Sequence, residues 1–278
     1  MQKRSVVAMY VILILISVIA CSISQGTEEQ TDQLPQQPEP IQEAQQSAEE
    51  LAPVPDVSYE GVSFSYDDAL AGEVAVENVP ANSPNEMNGA AWEVCPAHVK
   101  FYFNGYPLND RFFDPHIIIY PVNEYKQMSE AVGQTIDDLQ QYLVYGSTNE
   151  HMPFLPPYNA AQIMHSNVQQ MEFQNGEGVR FLTLHGQWIP PVNNHEIVYT
   201  FQGITNNGEY YVVAIFPVSH PNLPDDDSLP DGVGHAAWSE MALDYVADQV
   251  EMLNLQPSNS FVPDLGLLDA LMQSLLIE

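Results

Sequence analysis

In short runs between residues 58 and 218, outside 122–143, the apolar positions either alternate or follow without a break, the patterns of strands with one face or both in a core. "SYEGVSFSYD" (58–67) sets Tyr59, Val62, Phe64 and Tyr66 in rough alternation and predicts a first strand, with "EVAVENV" (73–79) as its pairing partner. "HVKFYFNGY" (98–106) alternates Val99, Phe101 and Phe103 against Lys100 and Tyr102. "HIIIYPV" (116–122) is a short, fully apolar strand stopped by Pro121. Four more candidates follow in a row, over 168–174, 178–188, 195–205 and 209–218. Asn175-Gly176 separates the first two and Asn207-Gly208 the last two, and Asn-Gly between apolar runs favours a tight hairpin. The four therefore predict an antiparallel meander. "YYVVAIF" (210–216) is apolar on both faces, which puts it at the centre of the sheet with cover on two sides.

A helical rhythm takes over elsewhere. Val122 to Ala131 and Thr135 to Leu143 read as helices separated at Gly133, with Leu139 and Leu143 one turn apart. "HAAWSEMALDYVADQVEML" (235–253) gathers Trp238, Met241, Ala242, Tyr245, Val246, Val250 and Leu253 on one broad face and sets Glu240, Asp244 and Asp248 opposite. Asp264 is an N-cap in front of a leucine-rich C-terminal helix. The pattern predicts one α+β domain over 58–278: an antiparallel sheet, built of the four-strand meander plus the N-terminal strands, covered by helices in the manner of an α/β/α sandwich.

Residues 1–57 are patterned differently. Lys3 and Arg4 precede an uncharged apolar run from Val6 to Ala20. That run falls short of the roughly 20 residues a membrane-spanning helix needs, and a basic start with a short apolar stretch describes an export signal over 1–20. Val18-Ile19-Ala20-Cys21 resembles the bacterial lipoprotein lipobox, with Val18 where leucine is commoner. The resemblance implies diacylglycerol transfer to the Cys21 thiol, cleavage between Ala20 and Cys21, and acylation of the new amino terminus. Several acyl chains on one residue anchor stably, at about 0.8 kcal/mol per buried CH₂. Residues 22–57 then hold eight Gln, eight acids and five Pro without an aromatic or basic residue, too little apolar surface to offset the ordering entropy. Residues 21–57 read as a lipidated, disordered tether.

Charge narrows the partners. Cleavage at Cys21 leaves Lys100, Arg111, Lys126 and Arg180 against 37 acids, so 4 − 37 = −33. Such a field repels phosphate backbones and excludes nucleic acid, and it repels anionic headgroups, so membrane association relies on the covalent anchor. Cys95 is then the sole free thiol and reads as a small buried hydrophobe.

Four constellations carry candidate chemistry. Asp225, Asp226, Asp227 and Asp231 cluster in "LPDDDSLPDG" (223–232), and hard cations such as Ca²⁺ take ligands of this type. An EF-type loop starting at Asp225 would need a ligand where Leu229 stands, so the loop reads as solvated, with Ca²⁺ the one cofactor it suggests. The Glu240/Asp244/Asp248 stripe reads as a solvated helix face. The eight histidines are scattered, and Cys95 with His98 is half of a zinc pattern without a second half, or a thiol–imidazole pair without an orienting group. "HMPFLPPYN" (151–159) interleaves Met152, Phe154, Leu155 and Tyr158 with prolines, which keep it extended and deny it sheet bonds. It is either a plug over the sheet or, if exposed, a partner patch formed by Phe154, Leu155 and Tyr158.

"YEGVSFSYD" at the start of the domain, a middle helix, a strand meander and a terminal helix resemble the photosystem II extrinsic P-protein superfamily over residues 58–255. Asp67-Asp68-Ala69-Leu70 stands where that family continues into a Pro-x-x-Trp element. The resemblance implies an α/β/α sandwich and a non-catalytic accessory role. Three functions follow: a lipid-anchored binding or accessory domain outside the cytoplasm, on the cell membrane or the outer membrane, meeting an envelope protein or ligand; a hydrolase whose residues meet only in the fold; or a cation-loaded structural component of the envelope.

Overall fold

The computed structural model describes residues 54–83, 91–146 and 151–278. The signal segment, Ala20, Cys21 and most of the tether lie outside the described residues. Ten strands and four helices occur in the order β1 (Val57–Tyr59), β2 (Val62–Phe64), β3 (Glu73–Val79), β4 (His98–Asn104), β5 (His116–Pro121), α1 (Val122–Met128), α2 (Glu130–Tyr145), β6 (Ala161–Phe173), β7 (Gly176–Gly186), β8 (Val198–Thr205), β9 (Tyr210–Pro217), α3 (His235–Asn254), α4 (Leu265–Ser274) and β10 (Leu276–Ile277). Seven strands form an antiparallel sheet in the order β3-β4-β5-β9-β8-β7-β6, and β1, β2 and β10 form a small second sheet.

Strand periodicity divides the core. Along β5 and β9, Ile117, Ile119, Val212, Ala214 and Phe216 face one side, where they meet Val246 and Leu253 of α3, Leu265, Leu268, Leu271 and Met272 of α4, and Phe64 of the small sheet. Ile118, Tyr120, Tyr211, Val213 and Ile215 face the other, against Tyr125 of α1, Val132, Ile136 and Leu139 of α2, and Met152 and Leu155. The fold is therefore α+β with helices on both faces of the sheet. β9 is the middle strand, and Tyr211–Pro217 are all buried, as apolarity on both faces demands.

Local expectations are revised in five places. The 58–67 run is a hairpin rather than one strand: Glu60 and Gly61 have φ of 46° and 84°, and two successive positive φ values make the tight turn that joins β1 to β2. β3 pairs with β4, not with the first strand, in seven consecutive pairs from Glu73↔Asn104 to Val79↔His98. The break between α1 and α2 is at Ser129, not Gly133; Ser129 is extended at φ −149°, and its side chain accepts from Val132 N as the N-cap of α2. β6 begins at Ala161 instead of 168 and carries register shifts at 162–164 and 166–169, with Asn167 at φ 50°. Between β6 and β7 the turn residues are Gln174 and Asn175, and Gly176 is already paired with Phe173. A Cβ at Gly176 would lie 2.5 Å from Ile204 O, so this glycine serves close strand approach rather than a positive φ. Asp264 caps α4 as predicted, accepting from Gly266 N at 2.8 Å.

Candidate functional site

One end of the large sheet collects the segments after β4, β7 and β9 and before β5, β6 and β8, because antiparallel pairing brings these strand ends together. Loops 105–115, 151–160, 187–197 and 218–234 meet there. Their backbones are secured by side-chain amides. Gln162 accepts from Met152 N at 2.8 Å and donates to Met152 O, while Gln202 accepts from Leu155 N at 2.9 Å and donates to Leu155 O at 3.2 Å. Each carboxamide stands in for a neighbouring peptide group, and so supplies the bonds that the proline-rich segment cannot find in a sheet. Asn194 does the same for the acidic loop, accepting from His220 N and donating to His220 O and Leu223 O.

Aromatic rings from these loops form a continuous ridge. His185 packs on Phe154 with centroids 4.3 Å apart and on Tyr158 at 6.0 Å; Tyr158 meets Phe113 at 5.5 Å and Phe112 at 6.2 Å; Phe112 meets His195 at 6.4 Å. Phe112, Tyr158 and Trp188 are exposed, although rings of this size are usually covered. A cleft opens on each side of the Tyr158–Phe113 contact. The first, about 580 Å³, is lined by Thr135, Asp138, His151, Phe154, Tyr158 and His185, among others. Burial pulls the His185 imidazole down to about 4, His151 adds to the shift, and its Nδ1 is enclosed without a hydrogen-bond partner. The second, about 600 Å³, is lined by the 105–115 loop with Ala75, Tyr102 and Phe103, and it contains Asp110, Arg111 and Asp114.

The residues singled out from the sequence are treated unevenly by the fold. Leu155 is fully buried and Phe154 half-buried, so "HMPFLPPYN" is a plug whose outer side joins the ridge; only Phe154 and Tyr158 of the candidate patch reach it, and Leu155 does not. Asp225, Asp226, Asp227 and Asp231 are exposed and do not converge, and Asp226 accepts from Ser228 N at 2.9 Å within its own turn. Among the described residues no group of three or more His, Cys, Asp or Glu side chains is arranged to hold a metal ion. Cys95 is half-buried, which raises its thiol, and His98 Nδ1 lies 2.8 Å from Pro96 O. Arg111, Phe112, Phe113, Gln162, Gln202 and Asn194 escaped the sequence reading. "DRFFD" (110–114), a cation and two aromatics in a loop flanked by Pro107 and Pro115, was the available signal.

A buried imidazole behind this end sets a pH response. His116 is pulled down to about 3, chiefly by burial, with Lys100 adding to the shift and the bond between Nδ1 and Asp114 O opposing it. Above pH 6.5 both folded and unfolded chains hold this ring neutral. Below it the unfolded chain takes up a proton that the folded chain refuses, so stability falls with pH, by about 2 kcal/mol at pH 5 from this one group. Urea midpoints between pH 7.5 and 5, where most carboxylates stay ionised, will show this slope added to that of His185, and His116→Gln will make it shallower by His116's share. An equal slope in both proteins rules out the assignment.

Compared with known protein families, curated proteins and solved structures, the chain matches none.

Proposed function

We propose that this chain is a lipid-anchored protein outside the cytoplasm whose α+β domain is a non-enzymatic binding or accessory module. The observation that supports binding is the aromatic ridge from His185 to His195 with a cleft on either side. Half-exposed aromatic rings offer large contact areas at low entropic cost, and residues of this kind dominate the energy of recognition surfaces. Anchoring follows from Val18-Ile19-Ala20-Cys21 at the end of the apolar run, with residues 22–57 holding the domain clear of the lipid of the cell membrane or the outer membrane. A flexible spacer of that length averages roughly 33 Å end to end, and like charges extend it. The partner is an envelope protein or a ligand, and the mature charge of −33 (4 − 37) selects against nucleic acid.

Mass spectrometry of the native product provides the test. The amino-terminal peptide will start at Cys21 and carry a diacylglyceryl thioether and an amide-linked acyl chain. Cys21→Ala will abolish palmitate labelling and shift the product from the detergent phase to the aqueous phase. A wild-type product that retains Met1 and partitions into water overturns the anchor.

A further inference from the structure

We infer that the cleft beneath the 105–115 loop binds a small zwitterion, which presents a carboxylate to Arg111 and an ammonium group to the carboxylates of Asp110 and Asp114. This deepens the reading of the domain as a binding module and is independent of its anchor.

Cations are scarce here, and their placement is informative. After signal cleavage four remain, and among the described residues three are occupied. Lys126 pairs with Asp137, Arg180 pairs with Asp269, and Lys100 lies 4.7 Å over the ring of Tyr102. Arg111 has no ion pair or hydrogen bond among the described residues, yet its Nε is closed off from solvent. Among the described residues seven enclosed side-chain atoms lack a hydrogen-bond partner, and Arg111 Nε is the one that belongs to a cation without an ion pair, the case in which an anionic partner explains the orphan best. A guanidinium is a planar fork that matches a carboxylate through two parallel hydrogen bonds.

Charge then selects among carboxylate ligands. A plain anion approaching this domain meets the field of its 29 acids (37 − 8 in the tether) and, at close range, the exposed carboxylates of Asp110 and Asp114 that line the same cleft. A ligand that also carries an ammonium group is neutral overall, pays no long-range repulsion, and turns those two carboxylates from obstacles into partners. Size agrees: about 600 Å³ lies in the range of small-molecule sites. The lining is mostly polar, and Leu108, Phe113 and the ring of Tyr102 are the apolar surfaces in it that a ligand side chain can meet.

The test titrates the full-length chain, held in detergent micelles, with L-phenylalanine, its N-acetyl derivative and its methyl ester, followed by calorimetry and by amide NMR shifts of the 105–115 loop. The expected result is saturable binding of phenylalanine, at least tenfold weaker binding of either derivative, and loss of binding in Arg111→Gln with unchanged thermal unfolding. Arg111→Lys will keep the charge but lose the fork and bind at least tenfold more weakly. Leu243→Ala, on the exposed side of α3 and away from both clefts, will leave binding unchanged. Absence of heat and shifts at about 10 mM ligand, where even a millimolar site fills, overturns the proposal. So does equal affinity for phenylalanine and either derivative, or binding that survives Arg111→Gln. Binding of any probe that is lost in Phe154→Ala and kept in Arg111→Gln overturns the zwitterion site while leaving the binding module intact.

Discussion

Asp269→Ala will lower the stability of the domain by about 3–5 kcal/mol, the cost of stripping a buried cation of its counter-charge. Arg180 projects from β7 toward α4 and is only 6% exposed. Its Nε lies 3.2 Å from Asp269 Oδ1, Nη2 donates to Gln169 Oε1 at 3.0 Å, and Nη1 donates to Asn167 O. Tyr199, fully buried, donates its hydroxyl to the same Asp269 Oδ1 at 3.0 Å. Burial raises the Asp269 carboxyl above its usual range even though Arg180 and Tyr199 pull it down, so the pair is held in a poorly solvated place. Alanine removes the charge and leaves the guanidinium with two neutral acceptors and the Tyr199 hydroxyl with none. Replacing both partners with apolar residues, as in Arg180→Met with Asp269→Leu, will recover part of the loss, since no charge is then buried alone, and adding Tyr199→Phe will recover more by removing the hydroxyl that has lost its acceptor. Urea midpoints of the single, double and triple variants measure this directly. A single-variant loss below about 1 kcal/mol, the range of exposed pairs, refutes the buried-pair assignment.

Gln202→Leu is the second large effect. The glutamine sits in β8 with no exposure, and its carboxamide serves four groups: Leu155 N, Leu155 O, the Thr200 hydroxyl and the Tyr211 hydroxyl at 2.9 Å. Thr200 keeps a second partner, Ala214 O, but the other three lose their bonds. At about 1 kcal/mol or more for each buried orphan, the expected loss is roughly 3 kcal/mol or more. Size alone does not explain such a loss, because leucine has nearly the volume of glutamine. The damage will be local as well as global: hydrogen exchange at the Leu155 amide will accelerate, and 151–158 will become susceptible to proteolysis before the rest of the domain. An unchanged Leu155 exchange rate would mean that packing and the Gln162 bonds to Met152 hold the segment without Gln202. Since this segment carries Phe154 and Tyr158, Gln202 acts as a positioning residue for the ridge.

The layered fold was legible in the chain because the hydrophobic pattern reports burial directly. A strand buried on both faces must be apolar throughout, so "YYVVAIF" announced its central place before any partner was known. The meander followed from short apolar runs separated by turn residues. The pairing of β3 was not legible: its alternate residues fit any neighbour, and the choice of β4 over β1 depends on the Glu60-Gly61 turn, which folds the first run back on itself. The ridge was hidden for a similar reason. Phe112, Tyr158 and His195 are 46 and 37 residues apart along the chain, counted from 112 to 158 and from 158 to 195, and only strand register brings them together. Polar residues within apolar strands, such as Gln202 in "VYTFQGIT", mark buried bonding, but the identity of the acceptor is a property of the fold.

Sequence alone determined the net charge of the chain and its strand and helix rhythm, and it carries the lipobox resemblance at Cys21 on which the anchoring proposal rests, since each depends on residues adjacent in the chain or on their sum. Tertiary structure decided which cations find an ion pair, which glutamines secure the proline-rich segment, and where aromatic rings gather. These are contacts across tens to hundreds of residues, set by strand order and register, and no local pattern encodes them.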